Sequence, residues 1–466
     1  MTDADSARLR ELGYTQELAR RLRGFDNLAL GFAGISPVVG LYAAALIGTV
    51  VAGPGWVWVL PVALAGQCLL LAVYAELAAD FPIAGGAYQW SRRLIGGRYG
   101  WFAGWMAICA YAVANTTVAY LGAPWALTLL EIDPTPRALV LAGACLVVVC
   151  ALAGLLGVRV LSGAVKAGIA AEVIAIVGIG VALLLAFREQ PFSIFTGTLT
   201  APGLLAALAV GGWVFIGFDV SVGHAEETQD ASRHVPRAIW IALLTVGALV
   251  ILNAVAAGLA HPDPALVAAG GDADPIATAV VSSFGSWSDK PFAAVVLVAF
   301  LACGMAAQSL TARTMYSIAR DGVLPGSRHL RRVDGRGVPV VAVAVTAAIA
   351  AAGLLLGLHS AAVGTLIAFG TAAIYVSFLL TAVAALVARL RGTWGSGRTR
   401  LAINVGAVAW LAFETVNIAW PRASIAPPDA PVYQVWAAPI VLAVITMAGL
   451  LYLALARPHA APRPGS

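Results

Sequence analysis

Two short stretches of this chain combine backbone freedom with groups that can do chemistry. The first reads Gly34-Ile35-Ser36-Pro37, and the second runs from Gly211-Gly212-Trp213 through Phe215-Ile216-Gly217-Phe218 to Asp219. Both lie in the middle of long apolar runs, where a helix is expected. Proline lacks an N–H and clashes one turn back, while glycine tolerates unwound geometry. Unwinding at the first stretch would free N–H groups at Gly34, Ile35 and Ser36, and a half-helix N-terminus there suits a carboxylate. Unwinding at the second would free carbonyls near Phe215, Ile216 and Gly217, which accept from an ammonium. The two together suit a zwitterion, with no charged side chain required. Irregular backbone at membrane depth is tolerated only where it lines a protein-walled cavity, although glycine and proline also occur at plain kinks and close helix contacts.

Side chains near these stretches add further chemistry. Asp219, an acid at mid-span, either faces a substrate amine or caps the broken helix as an internal N-cap. Glu172 sits deep in the fifth apolar run, where a carboxyl can bind and release a proton, and it is the expected coupling group. Lys166, six residues earlier, is a candidate for the same role or an interfacial anchor that snorkels. Tyr111 and Asn115 share a helix face at i, i+4 and either line a pocket or bond across helices. Trp213 and Phe218 flank the second break as aromatic gates or ordinary core. Glu226, Glu227, Arg233, Arg237, Arg320 and Asp321 form a charged set, read as a network closing an inner gate or as a solvated face. No metal-ligand spacing occurs, and Cys68, Cys109, Cys145, Cys150 and Cys303 read as small buried hydrophobes.

The elements that must position these residues are membrane helices. The chain has 466 residues, is 61% hydrophobic and only 11% charged, against about a quarter charged in soluble domains. The apolar runs are long enough to cross roughly 30 Å of hydrocarbon. Helices are expected at 28–52, 55–79, 99–127, 137–156, 163–187, 203–224, 237–260, 290–318, 338–358, 361–388, 401–420 and 433–456. That makes an all-α polytopic protein of about twelve spans, with the segment 1–27 before them and a tail at 457–466. Arginines such as Arg20, Arg92, Arg159, Arg237, Arg331 and Arg398 fall on the N-terminal side of the expected topology. The other side carries Arg137, Arg188, Lys290 and Arg422 beside Glu131, Asp133, Asp263, Asp272 and Asp274. The positive-inside bias places both termini in the cytoplasm. It also explains the net charge of +5 without a nucleic-acid partner. The expected partners are the bilayer and a small molecule, the chain being a monomer or homodimer, with no cofactor beyond an ion gradient. No nucleophile elbow, P-loop or metal cluster marks an enzyme.

The breaks fall in the first and sixth spans, five helices apart, which is the pattern of inverted repeats with a binding site between them. The sequence resembles the amino acid–polyamine–organocation superfamily, most closely its amino acid, GABA and choline permease branch. The resemblance is carried by Leu12-Gly13-Tyr14 with Gln16-Glu17-Leu18, by Tyr74-Ala75-Glu76-Leu77 and Phe81-Pro82 to Trp90, by Gly217-Phe218-Asp219 with His224 to Thr228, and by Ala319-Arg320-Asp321-Gly322 with Gly337-Val338-Pro339. It runs from about residue 12 to 340. It implies a LeuT-type fold of five-plus-five inverted repeats, about 28–187 and 203–388, followed by two extra helices at about 401–456. It also implies alternating-access transport of amino acids or related amines (GABA-like, polyamine or choline-like) across a bacterial plasma membrane. In several proton-coupled relatives a lysine stands where Glu172 falls; the acid here departs from that pattern, so the lysine's role does not carry over. A buried carboxyl can still bind and release a proton, and a proton gradient is the expected drive, with sodium the lesser alternative. An exchanger and a non-transporting sensor are the competing functions.

Overall fold

A computed structural model describes residues 3–197, 199–358, 362–423 and 431–457; the expected tail, Arg463 included, lies outside the described residues from 458 on. Among the described residues, twelve helices are long and apolar enough to span a membrane: Gly24–Ala52, Pro54–Asp80, Gly97–Leu130, Pro136–Leu155, Val158–Leu185, Ala201–Gly223, Ala231–Ala260, Ser286–Arg320, Val340–Leu358, Gly370–Leu390, Arg398–Ala419 and Ala437–Ala456. They are spans 1 to 12 below. The protein is an all-α, multi-pass membrane protein of LeuT type. Spans 1, 3, 6, 8 and 10 are largely buried inside the bundle, whereas span 12 is only 11% buried and lies at the periphery.

Local chemistry sets where the helices start. Thr135 caps span 4 by accepting from Ala138 N at 3.2 Å, with Pro136 at the first helical position. Thr200 does the same for span 6 through Gly203 N. Proline fits there because the N–H it lacks would have no helical partner anyway. The connection between spans 7 and 8 folds into two short helices, Pro264–Ala268 and Pro275–Phe284, capped by Asp263 and Asp274. This loop packs on the second half of span 1. His261 Nδ1 accepts from Asp263 N, so its proton sits on Nε2, which donates to Asp272 Oδ2 at 2.9 Å.

Burial, helped by the neighbouring Asp272 charge, pushes Asp274 up to about 6. A carboxyl whose folded pKa lies above its unfolded value adds stability below about 4, and that stability is lost as pH rises through about 6. Asp274→Asn keeps an oxygen for Ala277 N but cannot ionise. It is expected to raise the melting temperature at pH 7.5 and leave it nearly unchanged at pH 3.5, as read by thermal unfolding in detergent.

Candidate functional site

Span 1 breaks as its sequence predicts. Its first half, Gly24–Ile35, ends where Ser36 turns to φ 44, and its second half, Pro37–Ala52, begins one residue later. Ser36 N–H still closes the first half onto Phe32 O at 2.8 Å. Ser36 Oγ accepts from Val39 N at 3.3 Å, and Glu172 Oε1 accepts from Val38 N at 3.1 Å. The donors expected at Gly34, Ile35 and Ser36 are therefore one turn displaced. Ser36 N is taken, Gly34 and Ile35 are helical, and the open N-terminus begins at Val38. A protein carboxyl caps it: Glu172 also accepts from Ser36 Oγ at 2.7 Å. Its second oxygen, Oε2, is buried without a hydrogen-bond partner.

Span 6 breaks twice over. A 3₁₀ turn at Gly212–Phe215 leads to extended Ile216 (φ −91, ψ 161) and to Gly217 at φ 105, before a short helix at Val220–Gly223. The two breaks touch backbone to backbone. A Cβ on Gly217 would lie 2.1 Å from Gly34 O, and a Cβ on Gly34 would lie 2.4 Å from Gly217 O. Only glycine permits that approach.

Around this contact lies a cavity of about 50 Å³, lined by Gly34, Ile35, Val39, Tyr111, Val118, Trp213, Ile216, Gly217, Asp219, Cys303, Leu310 and Ile374, among others. Asp219 makes no cap bond to its own helix; it accepts from the Tyr111 hydroxyl instead. The cap is thus replaced by a contact between spans 3 and 6 in the cavity wall. A smaller cavity of about 10 Å³ continues past Gly85, Gly86 and Thr314, and Tyr111, Asp219 and Leu310 line both. On the face opposite the N-terminus, Tyr42, Trp125 and Phe292 from spans 1, 3 and 8 meet at 5.1–6.2 Å between ring centres.

Other candidates take different places. Asn115 donates to Thr311 Oγ1 at 2.8 Å, tying span 3 to span 8 rather than lining the cavity. Phe218 is fully buried and stacks on Phe378, while Phe215 is also core. Lys166 pairs with Asp26 at 2.5 Å at the start of span 1, so it anchors that end rather than meeting Glu172. The physical reason is length: two turns of helix separate the ends of span 5's polar face, and Lys166 reaches the outer one.

The charged set divides. Glu226 pairs with Arg320 at 2.7 Å and accepts from Ala84 N. Asp321 pairs with Arg92 and accepts from Tyr14 Oη at 3.0 Å and Tyr88 Oη at 2.7 Å. Glu227 binds Arg313 through both carboxylate oxygens, a partner that sequence reasoning missed. Arg313 NH1 donates to Ser309 Oγ, whose hydroxyl proton then serves His224 Nε2, while His224 Nδ1–H donates to Val220 O. An arginine well inside an apolar span was the available signal, since such residues are functional by default. Arg233 and Arg237 are exposed at the start of span 7 and join no ion pair among the described residues. The N-terminal segment closes over this network: Leu18 and Leu22 are buried, and Leu22 exchanges backbone hydrogen bonds with Glu227 and Gln229.

A family model for amino acid permeases matches residues 25–450. The chain belongs to the amino acid permease family. Its relatives include amino-acid permease BAT1 of Arabidopsis thaliana, 26% identical over 97% of this chain and 94% of the relative. The branched-chain amino acid permease BcaP of Lactococcus lactis is 29% identical, over 76% of this chain and 80% of the relative. A cationic amino acid transporter of Arabidopsis thaliana, number 3 and mitochondrial, is 27% identical over 83% of this chain and 65% of the relative.

Proposed function

We propose that the chain carries an amino acid across the membrane by alternating access, driven by protons, with the cavity between the two breaks as the binding site. The observation that carries this reading is the backbone contact of Gly34 and Gly217 beside a cavity walled by Asp219 and Tyr111. The substrate's ammonium meets Asp219 and the span 6 backbone, and its carboxylate competes with Glu172 for the start of the second half of span 1, where Glu172 caps Val38 N. Repeats at about 28–187 and 203–388, with spans 11 and 12 outside them, move around that fixed site. The arginine bias supports a topology with both termini in the cytoplasm, in this reading that of a bacterial cell. The ion pairs of Glu226, Glu227 and Asp321 then close the cytoplasmic side, and Tyr42, Trp125 and Phe292 the outer side. The Tyr111–Asp219 contact separates the cavity from the cytoplasmic path.

Glu172 is the coupling group in this scheme. It does not line the cavity; it acts through Ser36 and Val38, whose hydrogen bonds set the geometry of the first break. A neutral carboxyl holds these donors more weakly than a carboxylate does, so proton uptake loosens the break. In liposomes, Glu172→Gln is expected to abolish the stimulation of uptake by an outside-acid gradient while preserving exchange of substrate for substrate. Uptake that remained as pH-dependent as in the unaltered protein would remove Glu172 from this role.

A further inference from the structure

We infer that the substrate is a small neutral amino acid of about alanine size, an inference that rests on the transport reading above. Charge makes the first cut. Among the residues described around the cavity, Asp219 is the one ionisable acid and none is basic. The substrate's ammonium uses that acid. A lysine-like side chain would bring a second cation with no second carboxylate, and a glutamate-like side chain would bring an anion with no base. Each uncompensated charge in a water-poor site carries a desolvation penalty that binding cannot recover.

The walls make the second cut. Val39, Val118, Ile216, Leu310 and Ile374 surround the remaining space with apolar surface, and Trp213 closes one side. These walls reward a methyl or ethyl group and offer nothing to a polar chain end.

Volume makes the third. One water-sized group needs about 10–15 Å³ of such space, so a cavity of about 50 Å³ admits on the order of four beyond the room that side-chain adjustment adds. That is fewer than the non-hydrogen atoms of alanine, so the cavity must widen for any amino acid; alanine and serine need the least widening and valine more. Leucine and the aromatic amino acids need the most.

The test is counterflow in liposomes loaded with unlabelled L-alanine, following entry of labelled L-alanine against glycine, serine, valine, leucine, phenylalanine, lysine, glutamate and ethylamine as competitors. Glycine and serine are expected to compete at least about tenfold better than leucine, phenylalanine, lysine or glutamate. Lysine, glutamate, phenylalanine or ethylamine competing as well as serine would overturn the inference. Alanine failing to accumulate while one of those is carried would overturn it too, and in either case the transport reading would stand. If none of the panel moves, the transport reading falls with it. Val118→Ala and Ile374→Ala each widen the cavity and are expected to shift preference from alanine toward leucine by about tenfold. A folded, active variant with unchanged preference would show that these walls do not set the limit, and so would overturn the size argument.

Discussion

Replacing Gly217 with alanine is expected to lower uptake by on the order of a hundredfold, the scale on which misplacing reacting or binding groups by 1 Å acts. Two costs combine at this position. Gly217 has φ 105, where an L side chain is strained by at least about 1–2 kcal/mol. Its new Cβ would also sit 2.1 Å from Gly34 O and 2.5 Å from Gly34 C. Both of these are backbone atoms of a packed helix, so no rotamer change relieves the clash; the breaks must part, and the cavity between them changes shape. Gly34→Ala meets Gly217 O at 2.4 Å and is expected to be nearly as damaging, without the φ penalty. Gly163→Ala in span 5 is the control, because nothing lies within 4 Å of its Cβ position. Liposome uptake, read beside size-exclusion profiles to establish folding, checks all three. Gly217→Ala with uptake near that of the unaltered protein would show that the breaks do not need their contact.

Much of this arrangement is legible in the residues. The apolar runs predict all twelve spans, because a helix crossing hydrocarbon must be continuously apolar for about 20 residues. Gly34 to Pro37 and Gly211 to Asp219 mark both breaks, because proline and clustered glycine are costly in uninterrupted helix. What the residues leave open is which donor meets which acceptor. The first N–H without a helical partner shifts from Ser36 to Val38, which Glu172 caps, because Ser36 adopts a left-handed φ and its own N–H finishes the preceding helix. Asp219 is equally suited to capping and to facing the cavity, and the choice is made by Tyr111 on another span. Lys166 and Glu172 share a helix, but Asp26 and Ser36 draw them to different levels of span 1. Arg237 follows a family motif yet points to the exposed side, because the turn before span 7 sets its face. Each of these depends on pairing between spans, which a one-dimensional pattern does not encode.

Arg313→Ala is the second large effect, and it separates a fixed pin from the pair that opens. Arg313 and Glu227 are 2% and 1% exposed and joined through both carboxylate oxygens. Removing one partner leaves a buried charge unpaired, which costs about 3–5 kcal/mol. Arg313→Ala is therefore expected to show that loss in unfolding measurements, and Arg313→Met with Glu227→Leu is expected to recover most of it, since both charges then leave together. The pair nearer the surface behaves differently. Arg92 keeps 19% exposure beside Asp321, whereas Arg320 and Glu226 are 8% and 0% exposed and join the same two elements as Arg313 and Glu227. A pair that water can reach on opening costs little to break, whereas one sealed on every side must travel as a unit with the spans it joins. Span 8 and the exit of span 6 are thus expected to move together, and opening is expected to occur between them and the N-terminal segment. Arg92→Ala then changes the opening rate, read as faster labelling of cysteines placed in the cytoplasmic path, with a much smaller loss of stability than Arg313→Ala. Equal losses from the two variants would show that no such division exists.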